Sequence, residues 1–211
     1  PAVLTNLATP IGGSVVLRIM SEFGDGAVAA TSVLARIVPL SFAAVFAVSG
    51  AVGPIVGQNA GACRYDRVRQ VLLDASLLIG GYVLGVWVLL NVALNGIVTL
   101  FATGPMAEEL LRFYVNFLVG FFALNGLLFV ANASFNNLRR AYFATFFNYA
   151  KVFCGVIPGA YIGARFYDAR GAMLGESIGM ALFGVAGILT ALALVRRLQR
   201  DYPPRDPSPV A

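Results

Sequence analysis

Histidine is absent from the 211 residues of the chain, and cysteine occurs only twice. Without histidine the chain lacks the commonest metal ligand and general base, which excludes a protease built on a serine and histidine pair. The two cysteines, Cys63 in a basic loop and Cys154 in an apolar run, are not expected to form a disulfide. Because no nucleophile accompanies a base or a metal cluster, we expect neither an enzyme nor a bound metal or cofactor.

Charged residues are also scarce, at 12% of the chain, whereas 59% of the residues are hydrophobic. A soluble domain is about a quarter charged, so this composition indicates a bilayer. At roughly 20 apolar residues per crossing, the apolar runs predict an all-α, polytopic membrane bundle with six transmembrane helices. The predicted spans are about 1–20, 27–57, 76–101, 110–135, 142–162 and 172–195.

The segments outside these spans are short. Residues 64–74 mix charges with leucines and predict an amphipathic helix on the cytoplasmic surface. Residues 201–211 are basic and then rich in proline, which predicts a disordered cytoplasmic tail after a helical unit that covers residues 1–200. The chain begins at Pro1 without a charged leader, as expected of a fragment rather than of a signal peptide.

The positive charges predict the orientation of the bundle. Short loops rich in arginine and lysine stay in the cytoplasm, and nine of the fifteen basic residues fall on one side. They are Arg64, Arg67, Arg69, Arg139, Arg140, Arg196, Arg197, Arg200 and Arg205. Both ends of the segment are therefore predicted to be cytoplasmic, and we expect a bacterial inner membrane. The basic residues lie in separate loops rather than in one patch, so nucleic acid is not an expected partner.

Glycines recur every four residues in the last two spans. Gly155, Gly159 and Gly163 lie on one face of the fifth predicted helix; the sixth carries Gly171, Gly175 and Gly179 in the same spacing. Glycine faces allow the backbones of membrane helices to approach closely. We therefore expect the fifth and sixth helices to pack together through these faces.

Three charged residues lie deep inside predicted spans, where an unpaired charge is costly. Arg36 lies near the middle of the second span, and Glu176 is its expected partner from the sixth. This pair either locks two helices together or handles ions and substrate. Lys151 lies halfway along the fifth span, where it either bonds to carbonyls and amides or takes part in the same cavity.

Polar side chains on the first and fourth spans complete the candidate substrate and ion cavity. Asn6 and Thr9 precede Pro10, which frees a backbone carbonyl one turn earlier, and freed backbone groups often bind ligands in transporters. Asn125 and Asn132 follow each other at a spacing of seven on the fourth span. These amides either hold helices together by hydrogen bonds or line a water-filled cavity.

A glycine and amide motif ends the second span. It reads GPIVGQNAGA and contains Gly53, Pro54, Gly57, Gln58, Asn59 and Gly61, followed by a basic segment. We interpret it as a hinge-like helix end in which the amides cap the helix or satisfy freed backbone groups.

The longer run that holds this motif, SEFGDGAVAATSVLARIVPLSFAAVFAVSGAVGPIVGQNAGACRYDRVRQ, resembles the multidrug and toxic compound extrusion (MATE) transporters. FVANASFNNLRRAYFATFFNYAK and GAMLGESIGMALFGV are similar to later helices of the same half. The resemblance covers nearly all of residues 1–200. It implies the C-terminal six-helix lobe of a twelve-helix transporter, which lacks its N-terminal lobe as partner.

The resemblance further implies a secondary antiporter that exports small organic, often cationic, compounds by alternating access, driven by protons or sodium. Substrate would lie in the cleft between the lobes. Some sodium-coupled relatives place carboxylates where this sequence has Thr9 and Asn125, so that ion site is not reproduced here. Two alternatives remain: a lipid or lipid-linked sugar flippase, which Arg36 and Lys151 would suit, and a membrane scaffold that does not transport.

Overall fold

The computed structural model describes residues 2–101 and 104–202, with side chains from residue 9 onward. All its regular elements within these ranges are helical. They are α1 (Ala2–Ser21), α2 (Asp25–Ser41), α3 (Ala43–Gly61), α4 (Tyr65–Phe101), α5 (Pro105–Phe113), α6 (Val119–Asn137), α7 (Ala141–Ala150) and α8 (Ile157–Asp201). Two π-helical turns, Tyr114–Leu118 and Lys151–Val156, join α5 to α6 and α7 to α8.

These elements form six columns of membrane length, as the composition predicts. Within the described residues, four helical stretches are long and apolar enough to cross a bilayer: Ala43–Gly61, Tyr65–Phe101, Pro105–Asn137 and Ala141–Asp201. The last stretch reverses direction at Tyr167 and Asp168, whose backbones are not helical. It therefore supplies two columns, whose parts in α8 we call its first arm (157–166) and second arm (169–201). α1 is the sixth column, and α2 extends the column that α3 forms.

A residue with positive φ lies in each of four chain reversals. Gly24, Cys63, Arg139 and Asp168 have φ values of 93°, 56°, 58° and 51°. Positive φ favours glycine, yet three of these four residues are not glycine. The reversals are therefore marked in the sequence only by their polar residues. Residues 62–64, residues 138–140 and the end of α8 lie at what we call the basic end of the bundle. The turns at residues 22–24 and 166–168 and the start of α5 form the opposite end.

The second column is broken near its middle. α2 ends at Ser41 and α3 begins at Ala43, a few residues after Pro39. The Tyr82 hydroxyl of α4 donates a hydrogen bond to the Ser41 carbonyl, with an O···O distance of 2.7 Å. Proline removes one helical hydrogen bond, and the tyrosine satisfies a carbonyl beside the break.

α4 begins directly at the basic end. It runs without interruption from Tyr65 to Phe101, so residues 64–74 and the third predicted span share one helix. Tyr65, Val68, Leu72 and Ala75 are buried at helical spacing, which holds this first part against the bundle. The predicted tail lies almost wholly outside the described residues.

Close glycine packing joins the last two columns, which confirms the expectation from the spacing. A Cβ added to Gly159 would meet the Gly175 carbonyl, and one added to Gly163 would meet the Gly171 carbonyl. Gly155 faces Gly179 in the same way. The backbones thus touch along three helical turns, as small residues allow in lipid.

Candidate functional site

A cavity of about 380 Å³ opens between α1, α2, the turn Tyr114–Leu118, α6 and α8. Its volume lies within the range typical of small-molecule sites. Most of its wall is apolar. It is rich in methionine and aromatic rings, namely Met20, Tyr114, Phe121, Phe122, Met173 and Met180. Polarizable and aromatic walls of this kind suit bulky organic molecules.

Glu176 is the charged residue among the described residues that line this cavity. It lies on the second arm of α8, about two turns from the opposite end of the bundle. The nearby hydroxyls of Thr31 and Ser177 donate to carbonyls of their own helices, those of Ala27 and Met173, each at 2.8 Å. Among the described residues no hydrogen bond or ion pair uses the Glu176 carboxylate, which leaves it free to accept a cationic group.

Lys151 lies deeper in the bundle. Its side chain is only 6% exposed, and its ammonium group lies over the Phe129 ring, 5.7 Å from the ring centroid. It is the first residue of the π-helical turn Lys151–Val156, and it interacts electrostatically with Glu176. The cavity wall does not include Lys151, so the lysine lies behind the cavity rather than in it.

The expected pairing of Arg36 with Glu176 is wrong. Arg36 is exposed on α2, and the ion pairs of the described residues are Arg112 with Glu108, Arg170 with Glu109, and Arg197 with Asp201. Ser32 and Ala35 line the cavity, but Arg36 does not. A turn of 100° per residue separates neighbours on a helix, which is enough to direct Arg36 away from the site.

Asn125 and Asn132 on α6 each have a buried side-chain oxygen without a hydrogen-bond donor among the described residues. Asn125 is 5% exposed, so the amide lies inside the bundle rather than in the Glu176 cavity. Buried acceptors normally have partners. These two oxygens are therefore candidate contacts for an ion or a water molecule inside the bundle.

The candidates on α1 lie at the periphery of the described structure. Thr9 and Pro10 are exposed, whereas the side chain of Asn6 lies outside the described part. α1 continues through Pro10 to Ser21, and the Ser14 hydroxyl donates to the Pro10 carbonyl at 3.0 Å. The structure therefore does not bring Thr9 and Pro10 together with Glu176.

The glycine and amide motif has a structural partner that the sequence did not reveal. Gly53 and Gly57 of α3 leave a notch that holds the Asn137 side chain of α6. A Cβ added to Gly53 would lie 2.8 Å from Asn137 Nδ2, and one added to Gly57 would lie 3.2 Å from Oδ1. The motif thus joins two helices at the basic end.

The rest of the motif lies around this notch. Pro54 is exposed within a continuous α3, and Gln58 and Gly61 are exposed too. The Asn59 side chain donates from Nδ2 to the Ile55 carbonyl at 2.8 Å. The Asn59 backbone carbonyl accepts a hydrogen bond from the backbone N–H of Arg64, also at 2.8 Å. The Asn59 amide therefore bonds locally to its own helix, and none of these residues reaches the Glu176 cavity.

Sequence reasoning missed Tyr114, which lines the cavity and interacts electrostatically with Glu176. Tyr114 begins a π-helical turn, whose extra residue changes the direction of the side chains after α5. Such turns are frequent at functional sites, yet nothing in an apolar run marks them. The methionines of the wall were missed because Met20 lies on α1, far in sequence from Met173 and Met180 on α8.

The sequence profile of the MatE family matches residues 1–162. The chain belongs to the MatE family. MatE family members are membrane transporters rather than enzymes, and the six columns have the fold of one lobe of a MATE transporter. The Vibrio cholerae MATE transporter VcmN in its bent form has a TM-score of 0.88 with this chain at 22% identity, over 96% of this chain and 46% of VcmN.

Two proteins known by sequence are also similar. An uncharacterized 21 kDa protein in the iaaL 5′ region of Pseudomonas savastanoi is 30% identical over 214 residues, which cover 98% of this chain and 67% of that protein. The FAD transporter of Shewanella oneidensis is 26% identical over 186 residues, 88% of this chain and 41% of the transporter. The chain thus spans less than half the length of this transporter and of VcmN.

Proposed function

We propose that this chain is the C-terminal lobe of a multidrug antiporter that exports small organic cations in exchange for protons or sodium. A second, N-terminal lobe would supply the other wall of the central cleft. Both ends of the chain would lie in the cytoplasm of a bacterium, with the six columns in its inner membrane. Family membership supports transport, and the length of the similar transporters supports a two-lobed whole.

The observation that carries the choice of cationic cargo is the lone carboxylate in the apolar cavity. Glu176 faces an aromatic and methionine-rich wall, and a carboxylate there attracts a cation more strongly than it would in water. The same cavity disfavours a phosphate group because neither Arg36 nor Lys151 lines it. A flippase for lipids or lipid-linked sugars is therefore the weaker candidate.

Glu176 also suits the exchange of cargo against an ion. A proton or sodium ion and an organic cation would compete for the same carboxylate, so that only one of them occupies it at a time. Such mutual exclusion couples two flows without direct contact between the two ligands. Lys151, held over Phe129 beside the site, would compensate the charge when Glu176 is unoccupied.

Export of ethidium from cells that express the full-length protein tests this function. We expect Glu176→Gln to lower energised export at least tenfold, because the amide neither attracts a cation nor binds a proton. Ser177→Ala is the matched control, since the Ser177 hydroxyl already bonds to Met173 and its loss leaves the cavity charge unchanged. Expression and membrane insertion of each variant are measured by immunoblot.

The alternatives predict other outcomes. A flippase would move fluorescent phospholipid between leaflets of proteoliposomes and leave ethidium export at background. A scaffold would show neither activity, in the parent protein or in either variant. Full ethidium export by Glu176→Gln, at normal expression, would contradict the role given to Glu176 while leaving transport itself established.

A further inference from the structure

A separate groove of about 360 Å³ lies on the outside of the bundle, between α4 and the helix that continues from α5 into α6. Its apolar lining includes Gly80 and Trp87 from α4 and Phe117 and Gly120 from the facing helix. The turn Tyr114–Leu118 separates this groove from the Glu176 cavity, since Tyr114 and Leu118 face the cavity while Phe117 faces the groove.

The groove opens onto an exposed, apolar surface of the bundle. Phe117 and Leu84 on its walls are 67% and 60% exposed, and Val88 and Val92 continue the exposed apolar face of α4. The Trp87 indole nitrogen turns inward and donates to the Val115 carbonyl at 3.0 Å. A carbonyl of the π-helical turn is thereby satisfied.

One polar side chain breaks this apolar surface. Asn116 lines the groove and is exposed, and no hydrogen bond uses its amide among the described residues. It lies eleven residues after Pro105, which places it roughly 16 Å from the helix start at 1.5 Å per residue. An amide at this depth in hydrocarbon requires a partner. That partner must come from outside the described part of the chain.

Polarity increases from Asn116 toward the opposite end of the bundle. One turn beyond it, Arg112 donates from Nη2 to Asn95 Oδ1 and from Nε to Glu108 Oε1, each at 2.9 Å. One turn in the other direction, Gly120 leaves an open floor, because a Cβ added there would meet nothing within 4 Å. Along this helix the surface is thus open and apolar at Gly120, amidic at Asn116 and charged at Arg112, just beyond the groove, in steps of about 5.4 Å.

We propose that this groove binds one glycerophospholipid with a zwitterionic, ammonium-bearing headgroup. The acyl chain lies against Gly80 and Gly120, and an ester carbonyl accepts a hydrogen bond from Asn116 Nδ2. The phosphate lies at Arg112 and the ammonium group at Glu108. This graded polarity matches a lipid better than it matches a helix of a second copy. Such a helix would meet the Arg112–Glu108 ion pair at one end of its contact and would leave the space at Gly120 empty at the other.

Photolabelling of the full-length protein tests the site. The protein is placed in nanodiscs that contain phosphatidylethanolamine with a diazirine on its acyl chain, and labelled peptides are identified by mass spectrometry. We expect label to concentrate on peptides that contain residues 80–87 and 116–123. Gly120→Leu should lower this label at least fivefold because leucine fills the floor. Gly81→Leu is the matched control and should retain the label within twofold, since Gly81 has open space but lies outside the groove.

The polar contacts have tests of their own. Asn116→Leu should weaken labelling about as strongly as Gly120→Leu. Unlabelled phosphatidylethanolamine should compete with the probe at least fivefold better than phosphatidylglycerol, and Glu108→Gln should abolish this preference. Equal competition by the two lipids would overturn the headgroup assignment. Label spread evenly over the exposed face of α4 and unchanged by Gly120→Leu would overturn the site, as would a crosslink from position 116 to a second copy.

Discussion

Asn137 fills a notch that Gly53 and Gly57 leave open at the basic end of the bundle. Its Nδ2 donates to the Ala133 carbonyl of its own helix at 2.8 Å, which fixes the amide in the notch. The contact joins α3 to α6 beside the reversal at Cys63. At the scale of single residues, the glycines of the motif are explained by what lies against them rather than by flexibility.

Alanine at these two glycines should therefore destabilise the protein unequally. Gly53→Ala places a Cβ 2.8 Å from Asn137 Nδ2 and should cost about 1 kcal/mol, because the amide must leave its hydrogen bond. Gly57→Ala, at 3.2 Å, should cost less. Thermal unfolding in detergent measures both. In the double variant with Asn137→Ala the cost of Gly53→Ala should largely vanish, and an unchanged cost would show that Asn137 does not fill the notch.

The residue scale also shows where inference from the sequence ends. Glu176 was identified as a buried acid from its depth in a span, and the structure places it in the cavity. Its expected partner Arg36 was wrong because the position of a residue along two helices does not give their relative rotation. Tyr114 was missed because a π-helical turn shifts the helical face that follows it.

Helices were the most predictable level of the structure. Apolar runs of about 20 residues must satisfy their backbone internally in a bilayer, so their number and approximate places follow from composition. The places where helices are interrupted do not follow from composition. The predicted amphipathic segment is part of the continuous helix α4, and the second column breaks at Phe42 rather than at a proline. A contact distant in sequence accompanies the break in the second column, where the Tyr82 hydroxyl donates to the Ser41 carbonyl.

The glycine faces of the last two columns give a prediction at the scale of elements. Gly175→Ala should lower the free energy of unfolding by about 1–3 kcal/mol, because its Cβ would meet the Gly159 carbonyl and force the backbones apart. Gly96→Ala is the control, since its Cβ would meet nothing within 4 Å, and alanine favours a helix over glycine. Thermal unfolding of the two variants in one detergent compares them. Equal melting temperatures would mean that the columns do not touch there.

The whole molecule has two unlike ends. Arginines gather at the reversals that contain Cys63 and Arg139 and at the end of α8, whereas the opposite end carries Glu22, Asp25, Glu108 and Asp168. Cells retain positively charged short loops in the cytoplasm during insertion. The charge asymmetry, together with an even number of columns, is the physical basis for proposing that both ends of the chain are cytoplasmic.

Cysteine accessibility in the full-length protein tests this orientation. In a variant whose only cysteine is Cys63, a membrane-impermeant maleimide should label inside-out vesicles at least tenfold more than intact cells, since Cys63 lies partly exposed in the basic reversal. The matched variant replaces Cys63 by serine and carries Ser21→Cys, because Ser21 is exposed at the opposite end. It should label from outside the cell. The reverse pattern in both variants would invert the bundle, and Glu176, about two turns from the opposite end, would then lie nearer the cytoplasmic surface.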